Sequence, residues 1–120
     1  MKKLMLYSLA SLLAMPLLFS SIRGQEKFPT GTYTGGGFEL AFGADGVFTV
    51  SQNAKAVVKG NYVIEKDQIT LNDKEGDFAC LGQPGKYTWA FDGKNLSFTK
   101  VEDECGGRVQ ALPAQPWTKK

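Results

Sequence analysis

Between Gly31 and Leu112 apolar and polar side chains alternate with a period of two, and clusters of turn residues interrupt the alternation roughly every eight to twelve positions. Phe38, Leu40 and Phe42 alternate with Glu39 and Ala41. Gly43-Ala44-Asp45-Gly46 then predicts a hairpin turn, and Phe48 and Val50 continue the apolar face in a returning strand. Val58, Gly60, Tyr62 and Ile64 share one face of the next strand, opposite Val57, Lys59, Asn61 and Val63. Glu65-Lys66-Asp67 turns the chain into Ile69 and Leu71, and the polar run Asn72 to Asp77 predicts a further turn. Phe78 to Leu81 predicts a short strand, ended by Gly82-Gln83-Pro84-Gly85. Tyr87, Trp89 and Phe91 face one way, Asp92-Gly93 supplies a tight turn, and Leu96 and Phe98 return. Arg108, Gln110 and Leu112 alternate with Val109 and Ala111 as a final strand would, and Pro113 and Pro116 limit regular continuation beyond it.

No window of this region sustains a helical period, so the fold class is all-β. Consecutive hairpins with short loops favour an antiparallel meander over a Greek key. About eight strands are expected, which is where a sheet can close on itself and remove its edges. The expected architecture is therefore one small meander barrel, with an open sheet or small sandwich of the same strands as the alternative.

The first residues follow a different rule. Met1-Lys2-Lys3 is basic, Leu4 to Phe19 carries no charge, and Arg23-Gly24 precedes a polar sequence starting at Gln25. This is the layout of a secretory signal peptide, expected over 1–24. The apolar run is interrupted by Ser8, Ser11 and Pro16. It is shorter than the roughly 20 apolar residues of a membrane span, so stable membrane insertion is not expected after cleavage. Residues 25–30 are expected to form a flexible arm and 31–120 the barrel domain. The chain is expected to be secreted or periplasmic, and monomeric.

Removing the leader changes the charge. The 120 residues hold 14 Lys+Arg and 12 Asp+Glu, and Lys2, Lys3 and Arg23 all lie before Gln25. An apparent +2 thus becomes −1, which removes the electrostatic argument for nucleic acid. The chain contains no His, so His-based dyads, triads and metal sites are excluded. Both cysteines, Cys80 and Cys105, fall in the expected mature part. An even count in an oxidising compartment favours a disulfide. A redox pair or soft-metal site would want CxxC spacing or further ligands that are not at hand.

Other chemistry is weak. Asp73-Lys74-Glu75-Gly76-Asp77 lacks the ligand number and the twelfth-position Glu of an EF-hand, and reads as a solvated turn. Glu102-Asp103-Glu104 reads as a solvent-facing loop. Gly35-Gly36-Gly37 precedes a strand, not the helix that a phosphate-binding loop requires. Nothing positions two carboxylates across a cleft. The expectation is no enzyme, no catalytic residue, no metal and no cofactor.

Gly31-Thr32-Tyr33 opens the first strand, and Arg108, the single Arg after the leader, falls near the end of the chain. Together these resemble the calycin pattern of lipocalins and fatty-acid-binding proteins. There a G-x-W opens the first strand and a late basic residue packs over the aromatic ring. The segment Cys105-Gly106-Gly107-Arg108-x-x-x-Leu112-x-x-x-x-Trp117 is also similar to the closing segment of small exported bacterial lipocalin-like proteins, in which the Cys bonds to an earlier strand. The resemblance implies a barrel-closing pair of Tyr33 and Arg108, the guanidinium covering the ring by cation–π contact.

Tyr33 departs from the family's usual Trp, and 96 mature residues are few for a roomy barrel. The expected inward faces carry Phe38, Phe42, Phe48, Tyr62, Tyr87, Trp89, Phe91 and Phe98. These residues could line an apolar pocket or simply fill a small interior. If a pocket exists, Tyr62 and Trp89 are the expected ligand-binding walls, because each offers a polar tip. The resulting expectation is a binding module for a small apolar or amphipathic molecule. The alternatives are a protein-binding module, such as an inhibitor of a secreted protease that inserts its 25–30 arm, and a ligand-free structural envelope domain.

Overall fold

Alternating inward and outward side chains carry the sheet round until its first and last strands meet. The computed structural model describes residues 27–120; the expected leader at 1–24, and Gln25 and Glu26 of the expected arm, lie outside the described residues. Eight strands follow in chain order: β1 Gly31–Gly35, β2 Phe38–Phe42, β3 Val47–Gln52, β4 Lys55–Glu65, β5 Gln68–Glu75, β6 Gly85–Phe91, β7 Asn95–Glu102 and β8 Trp117–Lys119. Among the described residues one helix, α1, spans Gly106–Ala111. Each strand pairs antiparallel with the next, and β8 returns to β1, so the meander is a closed barrel without a free edge.

The inward rows are those the alternation marks. Leu40, Phe42, Phe48, Val58, Ile69, Leu71, Tyr87, Trp89, Leu96 and Phe98 are buried, while Val63, opposite Tyr62 on β4, is exposed. Val57 is also buried although it neighbours Val58. The ladder explains this: Val50 pairs with Val58 and Ser51 with Ala56, which leaves Val57 as the extra residue of a β-bulge. A bulge bends its strand and re-aims a side chain, and here it turns Val57 inward. A second bulge on β5 pairs Gly60 with Asp73 and Lys59 with Glu75. Gly60 is required at this crossing, since a Cβ there would stand 2.1 Å from the Asn72 carbonyl oxygen.

Two expected strands are corrected. Phe78–Leu81 forms no strand. Its backbone is held elsewhere: the Phe78 N–H donates to the Val57 carbonyl at 2.9 Å and the Cys80 N–H to Asp73 Oδ2 at 2.7 Å. Residues 108–112 are helical instead of extended, with the Val109 N–H donating to the Cys105 carbonyl and the Leu112 N–H to that of Arg108. In a helix the residues sharing a face are i, i+3 and i+4. Arg108, Ala111 and Leu112 accordingly turn toward the barrel while Gln110 is exposed. The strand that closes the barrel comes after Pro116. A Pro just before a strand removes no ladder donor, so Trp117–Lys119 bridges β7 and β1.

The two ends of the barrel differ. One end carries the tight turns after β2, β4 and β6 and is filled with aromatic rings. Phe28 enters it, with its ring 5.0 Å from Phe42, 5.2 Å from Trp89 and 5.6 Å from Tyr62. Phe28 belongs to the arm expected at 25–30, and its partly buried ring packs against the barrel core. The other end carries the 76–84 loop, α1 and the disulfide.

Candidate functional site

The helix end is built on a buried carboxylate. Ile69 and Leu71 point inward on β5, and two residues later the same row presents Asp73, which is also buried. A second carboxylate, Asp103, follows directly on β7 with a fully buried side chain. The helix brings Arg108 over both. Its Nε donates to Asp103 Oδ2 at 2.7 Å, an NH2 proton to Asp103 Oδ1 at 2.9 Å, and NH1 to Asp73 Oδ1 at 2.9 Å. NH2 also donates to the Gln83 carbonyl. Such a bidentate pair is charge-assisted and fixed in direction. Tyr87 Oη donates to Asp103 Oδ2 at 2.5 Å, and the Cys105 N–H to Asp103 Oδ1 at 2.9 Å. Gly85 makes room for the pair, because a Cβ there would stand 2.5 Å from Asp103 Oδ2 and 2.7 Å from Arg108 Nε.

The protonation preferences follow. Burial opposes the Asp103 charge, but hydrogen bonds from Arg108, Tyr87 and the Cys105 N–H outweigh it and hold the carboxyl below the usual carboxylate range. Burial, reinforced by Asp103, pushes the Tyr87 hydroxyl well above its ordinary range, so it remains a donor. Burial would lower Arg108, yet Asp103 and Asp73 reverse that and raise it.

Cys80 and Cys105 are disulfide-bonded, with their Cα atoms 6.0 Å apart. The bond ties the 76–84 loop to the start of α1. With both sulfurs joined to each other, the cluster of Asp73, Cys80 and Cys105 offers no thiolate to a metal.

Between this network and the aromatic half lies a cavity of about 290 Å³. Its floor includes Leu40, Phe48 and Leu71, and its walls include Val50, the bulged Val57 and Trp117. Gly107, Ala111 and Leu112 cover it from the helix side, and Phe78, 54 % exposed, stands at its rim. Asp73 and Arg108 supply its polar edge. Trp117 is fixed as a wall by its Nε1–H, which donates to the Leu112 carbonyl at 3.0 Å.

The residues expected to form sites are distributed differently. Tyr62 and Trp89 do not line this cavity; they pack at the opposite end, where Phe28 occupies the space between them. Tyr62 Oη donates to the Gly43 carbonyl at 2.5 Å. Trp89 Nε1 is buried without a hydrogen-bond partner among the described residues. Of the eight expected inward aromatics, Phe38 and Phe48 line the cavity. The barrel-closing pair is also rearranged. The cation over Tyr33 is Lys119, 5.6 Å from the ring centroid, and Tyr33 Oη donates to the Pro29 carbonyl at 2.7 Å. Arg108 is engaged with the aspartates because a helical turn aims it into the helix end. By residue type Asp73 and Asp103 both read as parts of solvated segments. The alternation Ile69, Leu71, Asp73 carried the signal for the first, whereas nothing local marks the second.

Comparison of the chain with protein-family models, with curated proteins and with solved structures finds no match.

Proposed function

We propose that this barrel is a binding module for a compact apolar or amphipathic molecule, held in the cavity beneath α1. The observation that carries the reading is the cavity itself: about 290 Å³, walled mainly by Leu, Val, Phe and Trp side chains, with Asp73 and Arg108 along one edge. An engineered apolar cavity of about 150 Å³ accommodates benzene, so a space this size suits a molecule of one or two rings or a short alkyl chain. Pockets with apolar walls and a few convergent polar groups are the usual form of a small-molecule site. Asp73 and Arg108 are paired with each other, and Arg108 also with Asp103, which supports binding over catalysis. Export is part of the same proposal, supported by the leader pattern of residues 1–24 and compatible with the disulfide.

The test is native mass spectrometry of the purified protein, with titration of Trp117 fluorescence by a panel of apolar compounds. Saturable quenching that Ala111→Phe abolishes by filling the cavity is the expected result. No retained species and no saturable change would overturn the proposal.

A second reading rests on the 76–84 loop, where Phe78 and Leu81 are 54 % and 63 % exposed on a segment pinned by the disulfide. A protein partner, such as a secreted protease, would cover them. Inhibition of a secreted protease by the protein, lost in the Phe78→Ser, Leu81→Ser double variant, is the result this reading requires. The version in which the arm enters a partner is weakened, since Phe28 would first have to leave the barrel.

A further inference from the structure

We infer that the cavity selects an apolar molecule with a protonated amine head over one with a carboxylate; this rests on the small-molecule reading above. A lone Arg beside an apolar cavity would ordinarily suggest an anionic ligand, but Arg108 has little left to offer one. Four of its N–H groups already have acceptors: two on Asp103, one on Asp73 and one on the Gln83 carbonyl. A guanidinium carries five such donors in all.

The charges point the same way. Asp103 takes both arms of a bidentate contact and adds Tyr87 and the Cys105 N–H, four donors in total. That matches the roughly four acceptor sites of a carboxylate. Asp103 therefore balances Arg108 and is itself saturated. Asp73 is the surplus. It accepts from Arg108 on one oxygen and from the Cys80 N–H on the other, which leaves about two of its four acceptor sites unused. Its side chain is 4 % exposed, and it lines the cavity where Asp103 does not. One cation is thus shared by two carboxylates, and the one with spare acceptors, Asp73, lines the ligand space beside Arg108. A carboxylate head placed there would meet Asp73 across a poorly hydrated gap, while an ammonium head would complete its hydrogen bonds.

The test is calorimetric titration of the disulfide-bonded protein at neutral pH with three probes sharing one ring system: 1-naphthylmethylamine, 1-naphthalenemethanol and 1-naphthoate. The amine is expected to bind at least about tenfold more tightly than the carboxylate, with the alcohol between them; this is the scale of one hydrogen bond to a charged group. The amine's advantage over the alcohol is expected to collapse in Asp73→Asn. Should that variant fail to fold, the probe series on the unmodified protein decides alone. Carboxylate binding as tight as the amine's, and lost in Ala111→Phe, would overturn the head-group selection and leave the cavity reading standing. An amine advantage that persists in a folded Asp73→Asn would also overturn it. No saturable binding of any probe would overturn both.

Discussion

Arg108 and Asp103 form a two-point contact across the first turn of α1, Nε to Oδ2 at 2.7 Å and NH2 to Oδ1 at 2.9 Å, with both side chains at least nine-tenths buried. They are five residues apart, so the contact is largely local in the chain, yet it rests on Gly85 of β6 and is completed by Tyr87. The helix is short, with six residues. The ion pair, the disulfide at Cys105 between its two partners, and the buried Leu112 hold it over the barrel.

Removing one partner of a buried pair leaves the other charge uncompensated, which typically costs about 3–5 kcal/mol. Arg108→Ala is therefore expected to lower unfolding free energy by roughly that amount, measured by urea denaturation at neutral pH. Arg108→Lys keeps the charge but loses the fork, and is expected to restore less than half of the loss.

The network sets the pH limits of stability. Asp103 is held below its unfolded value, so its contribution is present above about pH 4 and is lost as pH falls through the lower folded value. Tyr87 is raised, so its contribution is complete below about pH 10 and decreases as pH rises beyond that. Urea midpoints measured from acid to alkaline pH are expected to fall at both limbs. Asp103→Asn should flatten the acid limb and Tyr87→Phe the alkaline one.

The disulfide closes a loop with a sequence separation of 25. In the chain-entropy account a closure of this length stabilises by about 3.5 kcal/mol. Reduction, or the Cys80→Ala, Cys105→Ala double variant, is expected to lower stability by about that figure in paired denaturation curves. It should also increase proteolysis within 76–84, since the loop loses its anchor.

Phe28 is partly buried among Phe42, Tyr62 and Trp89. Phe28→Ala is expected to cost about 2 kcal/mol, below the 3–5 of a fully buried Phe because part of the ring already meets water. Thermal unfolding checks the size. Accelerated iodide quenching of Trp89 in the variant, with Trp117 replaced by Phe, checks the location.

Apart from the absent strand at Phe78–Leu81 and the Asn72–Glu75 end of β5, where a turn was expected, the strands from Gly31 to Phe98 were legible because a period of two is a local property: each side chain's face is set by its neighbours two positions away. The hairpins were legible for the same reason, as Asp92-Gly93 and Gly43 to Gly46 carry their own turn chemistry. The disulfide followed from count and compartment logic. The segment after β7 was not legible. Arg108, Gln110 and Leu112 fit an alternation, but the ladder between β7 and β1 is occupied by Trp117–Lys119, and a helical turn sends Arg108 to two buried acids. Trp117–Lys119 is the closing strand, pairing with β1 on one side and β7 on the other.

Chain order and side-chain alternation alone thus dictate an all-β meander with an inward row of aromatics. Whether those aromatics enclose space is decided only by the assembled barrel. Phe28 comes from outside the strand pattern and fills the end where Tyr62 and Trp89 stand, and the Val57 bulge and α1 shape the cavity at the other. The same holds for charge. Asp73 and Asp103 look solvated in the sequence because residue type reports the cost of burying an acid, and that cost is met by an Arg brought to both only when the barrel closes.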